Sequence, residues 1–90
     1  MKNREKRILQ TYITILKQCK GVERTKLQLF GIVNRQLEIP YTHTVSFNNI
    51  VNKMLEEGYL DEYFKHNNLK TGYYKTSREG LKFLQTVYGE

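Results

Sequence analysis

The sequence predicts a mostly α domain with one small β-hairpin, in the order helix, helix, helix, strand, strand, helix. Three observations lead there. Apolar residues recur at three- and four-residue spacing in four separate segments, as in helices that bury one face. Between Tyr59 and Thr76 the period switches to two and aromatic residues accumulate, as in paired strands. Glycine, proline, serine and threonine stand at the seams between segments, where chain reversals and helix caps need them. Ninety residues hold one domain, so positions 1–90 are read as a single unit with a small core.

The first helix is predicted over about Arg4 to Lys20. Leu9, Tyr12, Ile13 and Leu16 form one apolar row, with Lys20 closing it, and Ile8, Tyr12, Ile15 and Cys19 form a second. Gly21 can supply the left-handed residue that ends it. Two rows are more than one core face requires. Either this helix is central, or its second row meets another subunit. The second helix starts near Thr25, a good N-cap, and its expected stripe is Leu27, Phe30, Val33 and Leu37. Gly31 in its middle implies a close approach or a weak helix. Pro40 disfavours helix at Ile39, so this helix ends by about Glu38.

The third helix has the fullest periodicity: Phe47, Ile50, Val51, Met54 and Leu55. Thr44 or Ser46 is the expected cap and Gly58 the expected stop. Tyr59–Lys65 and Leu69–Thr76 are the two strands, joined at His66-Asn67-Asn68, where Asn tolerates positive φ. Placing Leu60 toward the core sets it opposite Tyr74 and Lys65 opposite Leu69, with a three-residue tip. Ser77 then caps a last helix over about Arg78 to Tyr88, with rows Leu81, Leu84, Tyr88 and Phe83, Val87.

Charge narrows the function. The chain has 15 Lys+Arg against 9 Asp+Glu, a net of +6. Residues 1–26 hold eight basic and two acidic groups, the whole excess, while residues 27–90 balance. A polyanion partner is favoured, and nucleic acid is the commonest. No run of about 18 apolar residues exists, so no membrane span is expected. The start of the chain does not read as a signal peptide, and a cytoplasmic protein is expected (host cytoplasm if viral). One cysteine and two histidines give neither an internal disulfide nor a zinc site. No nucleophile–base set converges, and the single Asp, Asp61, sits in a strand. There is no glycine-rich phosphate loop either, so no enzyme, cofactor, metal or small-molecule ligand is expected.

The order of elements has the outline of a winged helix-turn-helix. Met54-Leu55-Glu56-Glu57-Gly58-Tyr59-Leu60 resembles the end of a recognition helix running into the first wing strand. Tyr74-Lys75-Thr76-Ser77-Arg78-Glu79-Gly80-Leu81-Lys82-Phe83-Leu84 resembles the Tyr-x-Leu-Thr-x-Lys-Gly-x-x-Phe-Leu ending of many archaeal winged-helix regulators. Thr76, Ser77 and Glu79 stand where those have Leu, Thr and Lys. The resemblance covers roughly residues 25–84 and is nearest to small regulators of archaea, their viruses and plasmids. The long link from Leu37 to Thr44 is similar to that of PadR-like regulators.

The resemblance implies double-stranded DNA as partner, transcriptional regulation as role, and helix three in the major groove. Asn suits bidentate contact with adenine N6 and N7, which singles out Asn49 and Asn52. Lys53 suits guanine or phosphate; Thr44, Ser46 and Asn48 lie near the helix start. Lys65, His66, Asn67, Asn68 and Lys70 form a wing tip suited to backbone or minor groove. Arg24, Thr25 and Lys26 open helix two, where backbone N–H groups and cations favour phosphate. A homodimer is expected through helices one and four, using Ile8, Tyr12, Ile15, Cys19, Phe83 and Val87. The alternatives are a protein–protein or structural module that reads no bases, and an RNA-binding domain.

Overall fold

The structure, a computed structural model, describes residues 3–88, with side chains from Arg4 to Val87. Its elements are α1 (Asn3–Gln18), β1 (Arg24–Thr25), α2 (Lys26–Gln36), α3 (Thr44–Glu56), β2 (Leu60–Lys65), β3 (Asn68–Thr76) and α4 (Arg78–Tyr88). The strands form one antiparallel sheet in the order β1-β3-β2. Every helix feeds one core: Tyr12, Ile15, Leu16 and Cys19 from α1 and just beyond it, Leu29 and Val33 from α2, Phe47, Val51 and Met54 from α3, and Leu84 from α4.

The two apolar rows of α1 mean that it is central. Ile15 and Cys19 are fully buried and Tyr12 nearly so. Three of the residues expected at a dimer interface are therefore already spent inside the protomer. Ile8 and Phe83 are half-buried, and only Val87 is exposed. The side chain of Tyr88, expected in the α4 row, lies outside the described residues. Cys19 behaves as a small buried hydrophobe, and burial pushes its thiol up to about 12.

The last carbonyls of a helix need partners from elsewhere. For α1 they come from the sheet. Thr76 donates its hydroxyl to Leu16 O at 2.7 Å and its N–H to Cys19 O at 3.0 Å. Arg24 Nε donates to Gln18 O at 2.7 Å. Gly21 then turns the chain with φ 74°.

Thr25 is the N-cap of α2, in a reciprocal box: Gln28 N–H reaches Thr25 Oγ1 at 3.2 Å, and Gln28 Oε1 accepts Thr25 N–H at 3.0 Å. The buried stripe is Leu29, Val33 and Leu37, not the row that begins at Leu27, which is 78% exposed. At about 100° per residue, Leu27 and Leu29 point in nearly opposite directions. Both rows pass through Val33 and Leu37, so spacing alone cannot separate them. Gly31 is exposed, and a Cβ there meets nothing within 4 Å. The expected close approach is absent, which leaves a helix weakened by glycine. Gly31→Ala is therefore expected to stabilise the chain by about 0.5–1 kcal/mol in a denaturant melt; a loss of stability would mean that α2 needs the glycine.

The link before α3 is ordered by one side chain. Asn34 Oδ1 accepts Tyr41 N–H at 2.9 Å and Asn34 Nδ2 donates to Tyr41 O at 3.1 Å. The N-cap of α3 is His43, without a side-chain cap bond, rather than Thr44 or Ser46, which lie inside the helix. At its far end Gly58 N–H bonds Leu55 O at 3.0 Å and Tyr59 N–H bonds Met54 O at 2.9 Å, with Gly58 at φ 82°, a Schellman ending.

The hairpin register differs from the expected one by two residues. Leu60 faces Thr76, and Glu62 faces Tyr74. The pairing slips between Phe64, opposite Gly72, and Lys65, opposite Asn68. Asn68 causes the slip: its Oδ1 accepts Lys70 N–H at 3.2 Å and its Nδ2 donates to Thr71 Oγ1 at 3.0 Å. That local turn takes up extra residues on β3. No described residue other than glycine has positive φ, so the tip does not use Asn in the left-handed region. Ser77 caps α4 as expected, with Gly80 N–H on Ser77 Oγ at 3.0 Å.

Candidate nucleic-acid interface

The outward face of α3 is polar and open. Thr44, Ser46, Asn49, Asn52 and Lys53 are exposed, and Asn48 is half-buried. The face follows from the core: Phe47, Val51 and Met54 point inward, so helical geometry turns Asn49 and Asn52 away. Val45 lies on the same outward side, 67% exposed. An isolated valine carries no periodic signal, so nothing in the sequence marks it as part of this face. A bare methyl pair there has the chemistry to meet a thymine methyl.

The structure ties the start of α2 to this face. Lys26 Nζ donates to Asn52 Oδ1 at 3.1 Å and sits 5.7 Å from the centre of the Tyr74 ring. A carbonyl oxygen has two lone pairs, so Asn52 can hold Lys26 and still accept from a base. Thr25 and Arg24, beside Lys26 in the chain, also make bonds within the fold. The Thr25 hydroxyl closes the capping box, and Arg24 caps the end of α1.

Two of the acidic groups near these elements, Glu57 and Glu62, are held by tyrosines. Tyr12 Oη donates to Glu57 Oε1 at 2.6 Å, and Tyr74 Oη donates to Glu62 Oε2 at 2.6 Å. Burial, then the carboxylate bond, raises both phenols above their ordinary range, so each stays a donor. Gly72 leaves room for the second pair: a Cβ there would lie 2.7 Å from Glu62 Oε2 and 3.0 Å from Tyr74 Oη.

On the wing, Lys65 Nζ stacks over the Tyr73 ring at 4.5 Å. His66, Asn67 and Lys70 are exposed, while the Asn68 amide is engaged in its local turn. Phe64 and Leu69 stand out beside them, 50% and 71% exposed.

On the other flank of α3, Ser46 and Asn49 line a concavity of about 340 Å³ together with Arg4, Arg7 and Tyr41. The basic excess near the chain start is plain in the sequence, but the flank that α1 covers is set by the tertiary fold. Among the described residues no group of three or more His, Cys, Asp or Glu side chains could hold a metal. No helix among them is long and apolar enough to cross a membrane.

No protein-family model matches the chain, and no curated protein matches it. Among solved structures, a winged-helix DNA-binding protein from STIV matches with a TM-score of 0.64 at 10% identity, over 99% of this chain and 89% of that one. At that identity the likeness is one of fold. The chain has a winged-helix fold, with three helices, a hairpin wing and a closing helix.

Proposed function

We propose that the chain is a sequence-specific, double-stranded DNA-binding transcriptional regulator acting as one domain, with α3 in the major groove and residues 65–70 on the backbone or minor groove. One observation carries the reading: in a winged-helix fold, the outward face of α3 offers Ser46, Asn49, Asn52 and Lys53 to solvent, with no carboxylate before Glu56. A groove about 12 Å wide admits such a helix. The basic excess of residues 1–26 favours a polyanion. Such a partner places the protein where a genome is handled.

Selection of bound sites from random duplex DNA tests this directly. On the selected site, Asn49→Ala and Asn52→Ala should each weaken binding by roughly 1–3 kcal/mol, with little effect on random duplex and almost none on melting. Variants that bind the best duplex as well as wild type would place base reading elsewhere. The exposed Phe64 and Leu69 favour a second reading, a protein-interaction module, which takes over if no duplex is preferred.

Two-fold dimers present two recognition helices to half-sites about 34–36 Å apart. Such a dimer belongs to this reading, with its contacts reduced to Ile8, Phe83 and Val87. Sedimentation should then show a species heavier than the 10.8 kDa protomer at micromolar concentration; the protomer alone would remove the dimer.

A further inference from the structure

We infer that Arg4 and Arg7, at the start of α1, form a second phosphodiester site. It would grip the wall of the major groove opposite the one that Lys26 reaches. The inference rests on the proposed placement of α3 in that groove.

A helix lying in the major groove has one phosphate backbone on each side. On one flank stands Lys26, bonded to Asn52 at 3.1 Å. On the other, Arg4 and Arg7 share the concavity of about 340 Å³ with Ser46 and Asn49. The outward face is thus edged by cations from two different helices. Any phosphate seated in that concavity lies beside the side chains proposed to read bases.

Arg7 is held for this task. Its guanidinium stacks 4.5 Å from the centre of the Tyr41 ring. Tyr41 is fixed by its hydroxyl on Thr11 Oγ1 at 2.8 Å, and Thr11 donates onward to Arg7 O at 2.8 Å. The Tyr41 ring meets Phe47, in the first turn of α3, edge-on at 5.8 Å. A chain of contacts therefore runs from the cation to the helix that enters the groove. Arg7 Nε is buried and has no hydrogen-bond partner. Neither Arg4 nor Arg7 has a carboxylate at ion-pair distance among the described residues. An Arg fork with no acceptor matches the oxygens of a phosphate.

A second concavity of about 580 Å³ adjoins the first, sharing Arg4 and Arg7 and adding Lys6. It extends the cationic strip along α1. Glu38 lines this second concavity and no acidic side chain lines the first, so the strip is most positive where it meets α3.

The test compares salt dependence on a selected and a scrambled duplex. Arg4 is exposed, so R4Q should melt like wild type. It should weaken both duplexes by the same factor and flatten the log–log salt slope by about 0.9, the value for one phosphate. R4Q/R7Q should flatten it by about twice as much, while R7K, which keeps the charge, should retain the wild-type slope. Phosphate-ethylation interference supplies the position: wild type should be blocked on both walls of the groove. R4Q/R7Q should lose sensitivity on one wall and K26Q on the other. An unchanged slope and unchanged interference in R4Q would overturn the inference while leaving the DNA reading intact. Failure of wild type to bind any duplex would remove both.

Discussion

Gly80→Ala should lower stability by about 3 kcal/mol or more, although alanine is the better helix former. A Cβ at position 80 would lie 2.2 Å from Tyr59 O, 2.8 Å from Thr76 Cγ2 and 3.0 Å from Leu16 Cδ2. The first of these atoms is backbone and cannot swing aside. It also accepts the Ser77 N–H at 3.0 Å, and Ser77 in turn donates to Gly58 O at 2.5 Å. Relief of the clash would pull apart the junction of α3, β2 and α4. Overpacking alone costs about 1–3 kcal/mol, and the lost hydrogen bonds add to it. For a chain of this size a loss of about 3 kcal/mol lowers Tm by roughly 12–24 °C. Thermal melts of Gly80→Ala beside Gly31→Ala decide the matter, because the two changes should move Tm in opposite directions. Equal, small shifts would mean that Tyr59 and α4 have room to separate.

This pair of glycines also shows what the sequence could and could not reveal. Both read as glycines in or near helices, and only packing distinguishes them. Gly80 belongs to the segment that resembles winged-helix endings, and the close approach of α4 to Tyr59 is its physical reason. The third helix was legible because five apolar residues satisfy one helical face and no other. The second was legible in extent but not in face, since the Leu27 and Leu29 rows share their later members. Strand β1 is two residues long and carries no period, so it emerges only from its pairing with Tyr73 and Tyr74. The hairpin was expected, but its register rests on the Asn68 side chain and not on the alternation of its strands. Among the candidate contacts, those on α3 follow from helical geometry once Phe47 is placed inside. The capping role of Thr25 was legible from its place before α2, whereas the bond of Arg24 to Gln18 O was not, because that carbonyl reaches it only through the tertiary fold.

The complementary change is Phe47→Ala, which should cost about 3–5 kcal/mol. Phe47 is fully buried. It meets Phe30 at 5.4 Å and Tyr41 at 5.8 Å between ring centres, both edge-on. Each such pair adds about 0.5–1.5 kcal/mol beyond the area it buries. Alanine at this site would leave a cavity among α2, the link and α3, and both rings would lose their partner. Domains of this length have a total stability of roughly 5–13 kcal/mol, so the variant would retain a fraction of it and melt far below wild type. Its effect on DNA should differ in kind from that of Asn49→Ala. Phe47 touches no solvent, so the molecules that remain folded still present Ser46, Asn49, Asn52 and Lys53. Measured in the cold, where most molecules are folded, the ranking of duplexes should be that of wild type, with affinity lower by the unfolded fraction on every duplex alike. Asn49→Ala should instead melt normally and lose preference for the selected site. A Phe47→Ala variant that melts like wild type would contradict the core described above. One that stays folded but reorders its duplexes would mean that the Phe47–Tyr41 contact sets the pose of α3 on DNA as well as its stability.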